Sequence, residues 1–297
     1  MPLMAARQLA QAACAGGYAL GYFESWNLES LQGVLDAAEQ TRSPVIIGFN
    51  GDFLSGSDRL APERLAWYGA LGRAAAESST VPCAFIFNEC RDDSWVLAAV
   101  ASGFNLVMPA DPTCAHDDYL RRVKRVVAQA HARQVDVEAE LGELPWGAAG
   151  ADPSQGQVTD PELAARFVNE TGVDLLAVSV GNVHVQIRGE SELDLERLAA
   201  IRSRVRVPLV LHGGTGIAPQ SLQAAIRLGV AKVNYGTYLK LAYLKAVRSA
   251  VLRERSDPHE LLGRGGPADM LVAGRLAVRD AVLERIGLLG CCGRAAP

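Results

Sequence analysis

The chain has 297 residues, 49% of them hydrophobic and 21% charged, the proportions of a folded globular protein and not of a disordered chain. The formal net charge is −4, with Lys and Arg scattered singly, which excludes the basic footprint of a nucleic-acid partner. No run reaches the roughly 18 apolar residues of a membrane span. Met1–Gly17, interrupted by Arg7 and Gln8 and without a basic leader, therefore reads as the first helix of a cytoplasmic protein and not as a signal peptide.

Short apolar runs then alternate with helical patterns. A first strand covers Tyr18–Tyr22, a helix runs from about Glu29 to Thr41, and a second strand covers Val45–Phe49. A helix from about Pro62 to Ser79 has proline near its first position. The third strand, Cys83–Phe87, ends in Asn88-Glu89, and the helix after it starts near Asp92, whose carboxylate suits a helix N-terminus. Strand four is Asn105–Met108, followed by a helix from about Asp117 to Arg133 and by strand five, Val135–Leu141. The connection Gly142–Val158 is rich in Gly, Ala and Pro and longer than an ordinary strand-to-helix loop, so it reads as a mobile lid or a disordered segment. Strand six is Leu175–Val180, strand seven Leu209–Leu211 and strand eight Ala231–Asn234, and the tail from Leu239 to Gly290 adds further helices. Eight such alternations without a longer excursion predict one (β/α)8 barrel, a single domain over residues 1–297.

The six cysteines, Cys14, Cys83, Cys90, Cys114, Cys291 and Cys292, show no Cys-x-x-Cys spacing and read as reduced, mostly buried thiols; Cys90 stands beside the candidate site.

Leu209–Gly216, Leu-Val-Leu-His-Gly-Gly-Thr-Gly, is an apolar strand that ends in a histidine and a glycine-rich turn. Gly213, Gly214 and Gly216 allow backbone N–H groups to converge on an anion, and a helix starting near Pro219 adds the positive end of its dipole. The alternative is a plain strand-to-helix turn with a capped histidine. In a barrel, residues at the carboxyl ends of the strands face one mouth. That brings together Asn88 and Glu89, Glu138 and Glu140, His184, His212 and Asn234, the composition of a metal site. Against this stands a reading in which His184 lies in a polar loop and Glu89 caps the next helix.

Together the motifs resemble the class II, metal-dependent ketose-bisphosphate aldolases, over nearly the whole chain. They are the stretch from Glu29 to Glu39 with Ser43-Pro-Val, Val137–Gly142, Thr171–Asp174, Leu209–Gly216 and Val230–Thr237. The resemblance implies that His184 and His212 are metal ligands. It places phosphate binding on Gly213, Gly214, Thr215 and Gly216, on Asn234, Tyr235, Gly236 and Thr237, and beside Val185. It implies one divalent ion, zinc first, which polarises a ketone and stabilises an enediolate without a Schiff-base lysine. It further implies a sugar phosphate or related anionic carbonyl substrate and a homodimer or homotetramer built on the C-terminal helices.

The pattern breaks at strand three, where the family has Asp-His-Gly and this chain has Asn88-Glu89-Cys90. An amide cannot shuttle a proton. A carboxylate still binds zinc, iron, cobalt or manganese, so Glu89, His184 and His212 form a two-histidine, one-carboxylate set. The loop after strand five, acidic in the family, reads Pro145-Trp-Gly-Ala-Ala-Gly150, and the glycine usual after the second histidine is Val185. The expectation is a repurposed aldolase; an ordinary ketose-bisphosphate aldolase and a non-catalytic sugar-phosphate-binding protein are the alternatives. Proton transfer then falls to Glu140 or Glu138, which share a face of strand five, while Glu140 as an orienting neighbour of a histidine is the competing role.

Overall fold

The computed structural model describes residues 2–144, 156–183, 190–252 and 257–295. Eight parallel strands close into a barrel in chain order: β1 (Leu20–Ser25), β2 (Val45–Asn50), β3 (Cys83–Cys90), β4 (Leu106–Pro109), β5 (Asp136–Leu141), β6 (Leu175–Val178), β7 (Leu209–Leu211) and β8 (Val230–Tyr235). The helices are α1 (Ala6–Gly16), α2 (Leu28–Gln40), α3 (Gly51–Ser55), α4 (Leu65–Ser78), α5 (Asp93–Ala101), α6 (His116–His131), α7 (Pro161–Thr171), α8 (Leu195–Arg204), α9 (Pro219–Arg227), α10 (Thr237–Val251), α11 (Pro258–Leu261) and α12 (Met270–Leu289). The expected (β/α)8 architecture is the observed one.

Helix starts follow side-chain caps. Asn27 and Ser30 form a reciprocal capping box at α2, Asp92 accepts from Ser94 N at α5, and Asp160, followed by Pro161, accepts from two N–H groups at α7. Several boundaries differ from expectation, two of them for evident local reasons. Asn50 caps the short α3 directly after β2, accepting from Phe53 N at 3.0 Å, and α4 then starts at Leu65, so Pro62 precedes the helix. β1 starts at Leu20 and runs on to Ser25, because pairing with β2 continues to Ser25 opposite Phe49 and overrides the polarity of Glu24.

Buried apolar side chains from Ala6 to Ala295 form one contiguous cluster between the strands and the helices. α12 packs on α2 and α10, and α1 crosses the amino end of the barrel, where Arg7 N donates to Asp136 Oδ2 at 2.9 Å. Among the described residues no helix is long and apolar enough to cross a membrane. His184, Val185 and the Pro145–Gly150 loop lie outside the described residues.

Alternation along the strands decides what enters the barrel. Lys232 on β8 touches Glu138 on β5, and these strands are not neighbours, so both side chains cross the lumen. The same parity turns Tyr22, Glu24, Asn50, Asn88, Glu140 and Asn234 inward. The lower lumen is apolar, with Leu20, Ile46, Ala84 and Ile86, and the upper lumen is polar.

Candidate active site

The polar layer at the carboxyl end is organised around His212, the residue after β7, which is 1% exposed. Its Nε2 lies 3.0 Å from Glu138 Oε1. Glu138, wholly buried, also accepts from Lys232 Nζ, which is 3.0 Å from Oε1 and 2.8 Å from Oε2. Lys232 in turn donates to Asn234 Oδ1 at 2.6 Å. Against burial, which would raise it, the Lys232 ammonium and the His212 ring hold the Glu138 carboxyl below the usual carboxylate range. Burial lowers the Lys232 ammonium, with Glu138 opposing.

With Nε2 engaged by Glu138, the other ring nitrogen of His212 is turned to the mouth. Nδ1 lies 2.9 Å from Glu89 Oε1 and 3.5 Å from Glu140 Oε1. Neither approach has hydrogen-bond geometry, so these are charge contacts. Burial alone would lower the His212 pKa; Glu140, Glu138 and Glu89 outweigh it and raise it to about 10. Asn50 Nδ2 donates to Glu89 Oε2 at 2.9 Å. Glu89 therefore faces the mouth and does not cap α5, a role that Asp92 fills.

Glu89 reaches the mouth through a local break in β3. Its φ is 51°, in the left-handed region that costs a side-chain-bearing residue roughly 1–2 kcal/mol, and the register with β4 shifts between Phe87 and Cys90. The break suspends alternation, so the consecutive residues Asn88 and Glu89 both serve the upper lumen.

Glu89, Glu140 and His212 are of the residue types that ligate divalent cations. Metal–nitrogen and metal–oxygen bonds of about 2.0–2.2 Å in a tetrahedral shell separate neighbouring ligands by roughly 3.3–3.6 Å; the separation from Nδ1 to Glu140, 3.5 Å, falls in that range, and that to Glu89, 2.9 Å, is shorter. A histidine whose second nitrogen is held by a carboxylate is the usual orientation of a metal-binding imidazole. Among the described residues no three His, Cys, Asp or Glu side chains surround one common point. Glu89 and Glu140 instead contact the imidazole directly, and His184 lies outside the described residues.

The glycine-rich turn has backbone reasons of its own. Gly213 has φ 66°, and a Cβ on Gly214 would stand 2.6 Å from Val233 Cγ1. Gly214–Gly216 forms a single 3-10 turn beside the start of α10, where Gly236 and Thr237 follow β8 and no side chain caps the helix. β7 and β8 are neighbours, so the two turns lie side by side with Thr215 half-buried. Tyr235 departs from expectation: its ring points outward and stacks on Phe23 at 5.5 Å, so only its backbone remains at the turn. Cys90 is buried and its thiol is pushed up to about 11, chiefly by burial, so it is inert.

Beside the cluster opens a cavity of about 260 Å³, reached from the ends of β3, β4 and β5. Asp52, Glu89, Asp111, Glu140 and Glu143 are in its wall, and Arg91, also lining it, is 3.2 Å from Asp52.

Sequence reasoning did not single out Asn50, Tyr22 or the role of Lys232. The signal for Lys232 was available, a lysine inside the apolar run Val-Ala-Lys-Val; Tyr22 gave none, because a strand tyrosine reads as core.

The whole chain has known relatives. The family model described as class-II fructose-bisphosphate aldolase matches residues 4–294. The fructose-bisphosphate aldolase of Geobacillus stearothermophilus is 33% identical over 300 residues, covering 100% of each chain. The crystal structure of the YdjI aldolase from Escherichia coli K12 superposes with a TM-score of 0.80 at 32% identity, covering 99% of this chain and 100% of that one. A structure described as a putative fructose-1,6-biphosphate aldolase from Coccidioides immitis gives a TM-score of 0.83 at 27% identity, covering 98% of each.

Proposed function

The chain belongs to the class-II fructose-bisphosphate aldolase family, and we propose that it is a metal-dependent carbon–carbon lyase of the aldol and retro-aldol type, acting on a phosphorylated or otherwise anionic ketose in a role diverged from fructose-bisphosphate cleavage. The observation that carries this reading is the orientation of His212, whose Nε2 is held by Glu138 while Nδ1 faces Glu89 and Glu140.

Glu89, His184 and His212 would hold one divalent ion, with zinc the first candidate and iron, cobalt or manganese compatible with the carboxylate. When bound, it supplies Lewis acidity that polarises the ketone carbonyl. The phosphate would lie between the Gly213–Gly216 turn and the Asn234–Thr237 turn, held by backbone N–H groups and the α10 N-terminus. Asn88 can orient a substrate oxygen but cannot carry a proton. Glu140, 21% exposed at the side chain and beside the cavity, is the proton-transfer group. In the condensation direction it takes the proton from the carbon next to the carbonyl and returns it to the new alkoxide oxygen, which restores the carboxylate. Glu138 is the second candidate for that role, since its Oε1 already lies against His212 and Lys232 and its Oε2 faces the Lys232 ammonium.

The carboxylate-rich cavity supports the diverged role. A second phosphate there would face several like charges, with Arg91 already paired to Asp52, so the far end of the substrate is a hydroxylated chain. Exposed Leu241 and Leu244 on α10, with Val251 and Leu252 at its end, support self-association of this single-domain unit.

The test combines elemental analysis of gently purified protein with a cleavage assay on ketose 1-phosphates and ketose bisphosphates, before and after chelation. We expect near-stoichiometric transition metal, faster cleavage of the monophosphates, loss on chelation and recovery on adding metal. Metal-free protein that no added ion activates would refute the reading, and a preference for bisphosphates would refute the divergence.

A further inference from the structure

Tyr22 stands in the lumen on β1, 1% exposed, and its hydroxyl finds no hydrogen-bond partner among the described residues. Leaving a buried polar group unsatisfied costs about 1–3 kcal/mol. Such atoms also occur outside the lumen, at Ser25, His116, Tyr235 and Arg285. Asn88 Oδ1 on β3 and Asn234 Nδ2 on β8 share the condition, in side chains 2% and 8% exposed, and all three residues occupy inward positions of the lumen. Tyr22 lies opposite Asn234 in the β1–β8 pairing. The Asn234 carbonyl oxygen is taken by Lys232, which leaves its amide hydrogens for the lumen.

The charges around the phenol locate it. Lys232 Nζ lies 5.1 Å from the ring centroid, and the carboxylates of Glu24, Glu89 and Glu138 all act on the hydroxyl. Burial first, and these carboxylates second, push its pKa well above the ordinary tyrosine value, so it keeps its proton and is a standing hydrogen-bond donor. The position matters because Asn88, at the end of β3, is an amide and carries no proton to give.

We propose that Tyr22 is a further catalytic residue, its hydroxyl donating a hydrogen bond to the acceptor carbonyl oxygen, which carries the negative charge of an alkoxide as the carbon–carbon bond forms and, in the reverse direction, just before it breaks. The phenol retains its proton throughout and stabilises charge, while Glu140 carries the proton exchange. The inference rests on the lyase reading above.

Tyr22→Phe keeps the ring, its packing and its contact with Lys232, and removes only the hydroxyl. The measurement is kcat and KM for ketose-phosphate cleavage, with thermal midpoint and metal content on the same preparations. The expected result is a fall in kcat of about 10²–10³-fold, the loss typical of one oxyanion donor, with KM, midpoint and metal content close to wild type. An active wild type with an equally active Tyr22→Phe overturns the Tyr22 role alone. Loss of activity together with metal or folding also overturns it, in favour of a structural part. A wild type inactive on every ketose phosphate, with metal bound, overturns the lyase reading and the Tyr22 role with it.

Discussion

Lys232 and Glu138 meet inside the barrel with no solvent contact, Nζ 2.8 Å from Oε2, from two strands that are not neighbours. Removing one partner of such a pair leaves a bare buried charge, at a cost of about 3–5 kcal/mol. Lys232→Met is therefore expected to lower the unfolding free energy by that amount in urea titration, and Lys232→Met with Glu138→Gln to recover most of it. Equal destabilisation of single and double variants would show that the lysine stem, and not its charge, matters.

Glu140→Gln keeps the shape of the cavity wall and removes the proton acceptor. Turnover is expected to fall at least about 10²-fold, the lower bound for a lost general base, with metal content unchanged by elemental analysis. Emptying of the metal site instead would assign Glu140 to the ligands, next to Glu89.

Asp136 sets a pH dependence away from the mouth. Burial chiefly, with the nearby Asp174 charge, raises its pKa to about 6, against Arg7 and His131. A carboxyl that binds its proton more tightly in the folded chain contributes stability fully present below the unfolded value, about 3.9, and lost as pH rises through about 6. The midpoint of wild type minus that of Asp136→Asn should thus be larger at pH 4 than at pH 7 by scanning calorimetry. A difference independent of pH would contradict the raised value.

Gly214→Ala would place a methyl group 2.6 Å from Val233 Cγ1 and 3.0 Å from the Asn234 carbonyl oxygen. Overpacking of this kind costs roughly 1–3 kcal/mol, read as a lower denaturation midpoint. Wild-type stability with weakened phosphate binding would mean that the turn has slack and that its glycine serves only the ligand.

The barrel was legible because each strand is a short apolar run followed by a helix with its own start signal, such as Asp92 or Asp160-Pro161, and these signals are local. His212 was legible because a histidine that ends an apolar strand before a Gly-Gly turn is conspicuous. What stayed hidden depended on contacts across the lumen. Lys232 finds Glu138 94 residues away in sequence, and no local pattern reports that. The direction of the Tyr235 ring was hidden for a related reason. It adjoins Asn234 in the motif, but alternation sends its ring outward to Phe23.

The left-handed backbone at Glu89 separates aim from identity. The kink in β3 points position 89 at the mouth whatever side chain it carries, and Asn50, on the adjacent strand, steadies the far end of the present one. A donor of another kind can be exchanged there by a single substitution without moving a strand. In this sense the strand end is a socket, and the chemistry of the barrel can change one residue at a time while its architecture stays as it is.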